Sequence, residues 1–300
     1  MDKISCIVLN YNDAPTTLHL VRELKELDVL DSIVVVDNCS TDDSWEQLKE
    51  LEREDGGRVY LLQTGKNGGY GFGNQAGLDF AAGRLGATHL MVANPDIHIT
   101  RECLLRVKEA LDGTEGCAMS SAMVRDPKGN PQLSYWKLLP LWRDLLDTGL
   151  VTRRVFKPLL TAPLKALFPG GDPGCRLADA LPGSFFMLRA DRFPEGAIHS
   201  IFDKNIFLYY EEKVLGRKLR DMGLKTVLVT DTFYVHAHSV SIDKTVGKIL
   251  AKQKILHKSK LYYYKEYLHA GPVKLAAARV FLAAVQAEVW LLTEVFGLRW

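Results

Sequence analysis

Three groups of residues in this chain could do chemistry together. Tyr209-Tyr210-Glu211-Glu212 sets two adjacent carboxylates at the start of a helical pattern. A carboxylate with an unperturbed pKa near ~4.3 is ionised at neutral pH and can take a proton from an attacking hydroxyl. The helix dipole alone also favours acids at a helix start. Helical neighbours project ~100° apart, so only one of the two can face a shared pocket. Ala93-Asn94-Pro95-Asp96 holds an acid behind a proline. That suits a hard cation such as Mg2+ or Mn2+, which keeps several waters and takes one or two carboxylates plus ligand phosphates. A lone aspartate also simply forms turns. His236 and His238, at i and i+2, put both rings on one side of a continuing strand, which suits metal or phosphate, although satisfied surface histidines are commoner. In the glycine-rich stretch 68–77, Gly71, Gly73 and Ala76 match a loose G-x-G-x-x-A pattern. A tight turn with close helix packing explains it equally well.

The elements that must position these groups alternate between two periods. Apolar runs over Ser5–Leu9, Ile33–Val36, Val59–Leu62 and His89–Val92 predict buried strands. Thr16–Leu27, Ser44–Arg53 and Asn74–Arg84 predict helices between them. Strand and helix in alternation with short connections imply an α/β fold, a mostly parallel central sheet with helices on both faces. Asn10, Tyr11 and Asn12 then follow the first strand, Asp37 and Asn38 the second, Asn67 to Gly69 the third, and Asn94 to Asp96 the fourth. Every polar cluster falls at the carboxyl edge, where open α/β sheets bind ligands.

From Lys137 to Ala180 the chain has no clean period and is punctuated by five prolines, which predicts short helices and loops. Such a segment serves as a lid or acceptor-side wall, or is only an irregular insertion. A strand is expected over Leu181–Leu188, a helix over Glu211–Met222 stopped by Gly223, and a strand over Thr226–Val229. The tail from Lys244 is basic, with Lys244, Lys248 and Lys252 at helical spacing and Tyr262-Tyr263-Tyr264 beside Lys260. An apolar helix follows Gly271-Pro272. Lys274, Arg279 and Glu288 interrupt it short of the ~18 uninterrupted apolar residues of a spanning helix.

The chain of 300 residues is long enough to bury a full core without staples. Its 38 basic and 36 acidic residues argue against a nucleic-acid partner held by bulk charge. Five scattered cysteines without metal spacing fit reduced thiols in a cytosol. The start shows no signal-peptide pattern, so a cytoplasmic location is expected.

In their order, these motifs resemble the nucleotide-sugar half of family 2 inverting glycosyltransferases. The residues are Val8-Leu9-Asn10-Tyr11-Asn12, Val35-Val36-Asp37-Asn38-Cys39-Ser40-Thr41-Asp42, Asn67 to Asn74, and Asn94-Pro95-Asp96. Leu181 to Arg189 resembles the G-x-x-F strand of the rhamnosyltransferase-like branch. Phe207 to Glu212 with Leu219 to Gly223 looks like the family's acidic pair and the helix after it. The likeness covers about residues 3–245.

The resemblance implies a GT-A fold with a catalytic domain over 1–243, its donor half about 1–100 and its acceptor half about 101–243, and a helical tail over 244–300. It implies a metal-dependent hexosyltransferase moving sugar from a nucleotide-diphosphate donor, thymidine-diphosphate rhamnose or a uridine-diphosphate hexose. The acceptor would be a hydroxyl of a cell-surface polysaccharide or lipid-linked glycan. The donor would be held by Asn10, Tyr11, Asn12, Asp37, Asn38, Asn67, Gly69 and Asn94. Asp96 would bind Mg2+ or Mn2+, with His236 or His238 near the metal or diphosphate. Of Glu211 and Glu212, the second would be the general base. Lys213 has no counterpart and is expected to face solvent. The tail would contact the cytoplasmic membrane face, pack on the catalytic domain, or join two copies as a homodimer. Two readings compete: a nucleotide-dependent oxidoreductase resting on Gly71, Gly73 and Ala76, and a non-catalytic scaffold in a membrane assembly.

Overall fold

The computed structural model describes residues 2–54, 57–161, 163–237 and 249–295. The first half is four parallel strands, β1 (Ile4–Asn10), β2 (Ser32–Asp37), β3 (Val59–Gln63) and β4 (His89–Ala93). They are linked by α1 (Ala14–Lys25), α2 (Ser44–Glu54) and α3 (Tyr70–Gly83). β2 shows why. Its residues are all buried, Ile33 and Val35 joining one apolar cluster with Val8 and Leu48. Val34 and Val36 join the cluster on the other face with Ile7 and Leu78. A β-branched strand buried on both faces belongs inside a parallel sheet.

The second half adds β5 (Ile97–His98), α4 (Arg101–Gly113), β6 (Cys117–Arg125), three short helices α5 (Leu141–Leu146), α6 (Leu150–Val155) and α7 (Lys157–Leu160), β7 (Cys175–Leu177), β8 (Phe185–Arg189), α8 (Glu211–Asp221) and β9 (Lys225–His236). The sheet runs β3-β2-β1-β4-β8-β6-β9-β5, with β7 on β9. β8 enters antiparallel between β4 and β6, and β5 and β7 run against β9. Six of the nine described strands run one way, while the eight pairings divide into four parallel and four antiparallel, so the sheet is mixed, with its parallel part in the first half as the sequence implies.

The strand expected from Leu181 begins only at Phe185, because β8 pairs with β4 and that pairing ends at Ala93↔Phe185. The last strand, expected to stop at Val229, continues to His236 beside β6 and then β5. Thr230, Asp231 and Thr232 break the apolar run there. α4 shows its stripe of Cys103, Leu104, Val107, Ala110 and Leu111 once Thr100 is seen to cap it, accepting from the Cys103 N–H.

The tail forms α9 (Ile249–Glu266) and α10 (Pro272–Trp290). Tyr263, Tyr264, Leu275, Ala278 and Leu282 share an apolar cluster with Leu141, Leu145, Ile206, Tyr210 and Val214. The tail thus packs on the insertion and on α8. Residues Pro272–Glu294 are long and apolar enough, by length and composition alone, to cross a membrane, unlike the sequence expectation. The interrupting charges are isolated ones, so the mean hydropathy of 1.6 survives them, with 28% of the window buried.

Candidate active site

Adjacent parallel strands bring the polar clusters of β1, β2 and β3 into one network. Asn10 pairs with Asp37 in register, and its Nδ2 donates to Asp37 Oδ1 at 2.9 Å. Asp37 also accepts from the Ser40 N–H, the Ser40 hydroxyl and Gln63 Nε2. Asn38 Nδ2 donates to Asn67 Oδ1 (3.0 Å) and to the Gly69 carbonyl (3.1 Å). Asn12, at φ 54°, accepts from the Thr41 N–H. Asn10, Asp37 and Asn38 are buried, so they shape the loops of this edge. Tyr11, Asn12, Asn67 and Asn94 are half-buried at the same edge.

Gly69 N-caps α3 at φ +93°, and a Cβ there would strike the Phe207 backbone. Tyr70 N–H donates to the Phe207 carbonyl at 3.0 Å, which ties this turn to the segment carrying the acidic pair. Gly71, Gly73 and Ala76 lie inside α3, not in a turn before it. A Cβ on Gly73 would meet Leu9 and Asn38. The glycine pattern serves close helix–sheet packing, which removes the basis of the oxidoreductase reading.

Asp96 follows β4 and His236 ends β9. The antiparallel pairing Ile97↔His236 sets them side by side, with Asp96 Oδ1 3.2 Å from His236 Nε2. A carboxylate oxygen and an imidazole nitrogen converging here, both largely buried, fit a divalent cation that takes its remaining ligands from water and a diphosphate. His238 lies outside the described residues. One further group of potential ligands, Asp2, His89 and Asp112, is elsewhere in the fold. Lys108 and Arg189 already neutralise it.

The acidic pair opens α8 as expected, and the two acids differ. Glu211 is buried with Oε1 unpartnered. Burial, and then the charge of Glu212, push its carboxyl well above the usual range. Glu212 is partly exposed. Burial raises its carboxyl too, opposed by its own and the Gly183 backbone N–H groups and by Lys213. A Cβ on Gly183 would come within 3.3 Å of both Glu212 Oε1 and the Tyr70 hydroxyl. Tyr70 donates to the Gly183 carbonyl. Ser184 accepts from the Asn94 N–H through its carbonyl (2.8 Å) and bonds Tyr234 through its hydroxyl (2.7 Å). Loop 181–184 therefore joins the Asp96 corner to Glu212.

Lys213 does not face solvent. It is buried and paired with Asp144 of α5. Sequence reasoning also missed Tyr70, Gly183, Tyr234, Asp144 and Lys260. Tyr70 and Gly183 stood inside quoted motifs and Lys260 beside the tyrosine cluster, without a role; Tyr234 and Asp144 carry no local signal.

The family model "Glycosyl transferase family 2" matches residues 5–176. An N-acetylglucosaminyl-diphospho-decaprenol L-rhamnosyltransferase of Mycobacterium tuberculosis is 26% identical over 283 residues, 90% of this chain and 86% of the relative. The low-salt glycan biosynthesis hexosyltransferase Agl10 of Haloferax volcanii is 23% identical over 212 residues, 71% of this chain and 60% of the relative. Among solved structures, the mannosyltransferase PcManGT of Pyrobaculum calidifontis, in complex with GDP-Man and Mn2+, superposes with a TM-score of 0.59. That match has 14% identity and covers 98% of this chain and 75% of the other, a likeness of fold. The GT-A arrangement expected from the sequence is the one found.

Proposed function

The chain belongs to glycosyl transferase family 2, and from that premise we propose a metal-dependent inverting transfer of a hexose or deoxyhexose to a hydroxyl of a lipid-linked or cell-surface glycan. The observation that carries this reading is the convergence of Glu212 with Asp96 and His236 around loop 181–184. The acceptor hydroxyl attacks the anomeric carbon while the nucleoside diphosphate departs from the opposite face. Glu212 takes the hydroxyl proton, and Glu211, the more buried of the two, is pushed further from ionisation by burial and by the charge of Glu212. No second catalytic carboxyl is required to protonate the leaving group, unlike in a glycoside hydrolase. Asp96 and His236 would hold Mg2+ or Mn2+, which supplies charge neutralisation for the departing diphosphate.

The donor lies along residues 1–100 and the acceptor against residues 101–243. Thymidine-diphosphate rhamnose is the first donor to try, given the rhamnosyltransferase relative, and uridine-diphosphate hexoses the second. The outward face of α10, with Val273, Val280 and Trp290 exposed, and the basic α9 favour peripheral contact with an anionic membrane on its cytoplasmic side. Flotation with anionic vesicles checks that contact.

The test of the activity is nucleoside-diphosphate release from a panel of nucleotide sugars, with Mn2+ and with chelator. Release from one donor, dependent on the cation, is expected. Turnover undiminished in chelator refutes the metal assignment, and inertness toward every nucleotide sugar refutes the donor class.

A further inference from the structure

Two consecutive non-glycine residues, Tyr209 (φ 68°) and Tyr210 (φ 78°), turn the chain through left-handed conformations directly before Glu211 and Glu212. Such backbone is disfavoured for residues with a Cβ and persists only where the surroundings impose it. What holds Tyr210 is remote in sequence. Its hydroxyl donates to Asp144 of α5. The ammonium groups of Lys213, on α8, and Lys260, on α9, lie 4.8 and 5.1 Å from the centre of its ring. Tyr263 meets the ring edge-on at 5.4 Å.

Asp144 is the hub. It is fully buried and accepts from Tyr210, Lys213, Lys260 (2.9 Å) and the Tyr264 hydroxyl (2.7 Å). Lys260 also donates to the Asp144 carbonyl (3.0 Å) and to Thr148. Burial opposes ionisation of Asp144, yet Lys260 and Lys213 outweigh it and hold the carboxyl well below the usual range. Burial brings Lys260 down to about 8 against the attraction of Asp144, so it remains charged at neutral pH. One carboxylate and two ammonium groups are thus enclosed together, with the Asp147–Arg153 pair beside them. A buried ion cluster is a poor source of net stability compared with apolar packing of the same volume, and its attested use is to fix one arrangement.

We propose that this cluster positions the general base: Lys260 of the tail and Asp144 of the insertion hold Tyr210 in its left-handed turn and so fix where Glu212 points. The proposal rests on Glu212 being that base. Lys260 and Asp144 touch no substrate and act through Tyr210 and Lys213. The cluster also acts through charge, because the Lys213 ammonium opposes the burial that raises Glu212. Among the described residues, the other titratable groups facing Glu212 are Glu211 on α8, Tyr70 on α3 and Tyr234 on β9. None of them belongs to the cluster, so its charge can be changed while they stay.

Lys260→Met removes one positive charge, and Asp144→Asn removes the negative one. With the full-length protein, Lys260→Met is expected to lower kcat at least tenfold while the donor KM stays within about twofold. Its acid limb in kcat/KM should move to higher pH, since the positive field at Glu212 is weakened. Asp144→Asn should move the limb to lower pH. Lys260→Arg should return the limb to its wild-type position. These limb positions do not depend on the fraction of active enzyme, so a loss through misfolding alone leaves them in place. If Asp144→Asn fails to fold, Tyr210→Phe, which removes only the hydroxyl bonded to Asp144, should still lower kcat without weakening the donor. Wild-type kcat and an unmoved limb in Lys260→Met overturn the proposal, provided Glu212→Gln is inactive. An active Glu212→Gln overturns the base assignment itself, and the two failures are thereby distinct.

Discussion

The proposed donor edge and the proposed acceptor side of this molecule are built by opposite means. At the donor edge, Asn10, Asp37, Asn38 and Asn67 sit at the ends of neighbouring parallel strands, and their bonds link residues 26 to 31 positions apart. One strand–helix–strand repeat supplies that spacing, so the network follows from a regular local pattern. On the acceptor side, Asp144 bonds Lys213 across 69 positions and Tyr264 across 120. No repeat sets those distances; an irregular insertion and the tail do. On the proposed assignment, the chain fixes its nucleotide-sugar edge through sheet register and aims its base through long-range packing. One edge can stay constant while the other is redrawn for a different acceptor.

The comparison can be broken first at the metal corner between the two regions. Asp96→Ala should reduce transfer by three orders of magnitude or more, on the order of 4 kcal/mol of transition-state stabilisation. Titration of the nucleoside diphosphate should show weaker binding with Mn2+ and no change in chelator. Equal affinity in the presence of the cation contradicts the assignment.

Asp37→Ala probes the donor edge as a structural network. It strands Asn10, the Ser40 N–H and Gln63, and should cost about 2–4 kcal/mol in denaturant unfolding. A loss of donor affinity with unchanged stability would make Asp37 a direct ligand instead.

Gly183→Ala sharpens the acceptor side. The added methyl would crowd Glu212 and Tyr70, so kcat should fall roughly tenfold, near 1.4 kcal/mol, with donor affinity preserved. A parallel loss of donor affinity would place loop 181–184 with the donor.

The smallest effect is in pH. Burial raises the Glu212 carboxyl, and a base must be ionised to act. The rate should therefore fall as pH drops through a value above the ordinary glutamate range, and be full above it. A limb at the free-glutamate value would mean that a more solvated carboxylate does the work.

The same contrast explains what was legible in the sequence. β1 to β4 and the polar residues behind them stand out because alternating periods are local signals. Glu211 and Glu212 were legible as a helix start, and the choice between them came from the family resemblance; their unequal burial needs the packed structure. Lys213 was misjudged because a lysine beside an acid reads as solvated, and its partner Asp144 lies in the segment without period. β9 was cut short because polar residues on an exposed strand break an apolar run. β6 was missed because its buried Ser120 and Ser121 are satisfied by carbonyls of Val107 and Phe185, which only the fold brings near.

The central claim is that Glu212 is the base of a cation-assisted sugar transfer. Glu212→Gln and Glu211→Gln, compared for donor binding by calorimetry and for transfer with the donor identified by the panel, test it most directly. The account expects Glu212→Gln to bind donor as wild type does and to lose transfer by at least ~100-fold, with Glu211→Gln keeping measurable activity. An active Glu212→Gln beside an inert Glu211→Gln would contradict it.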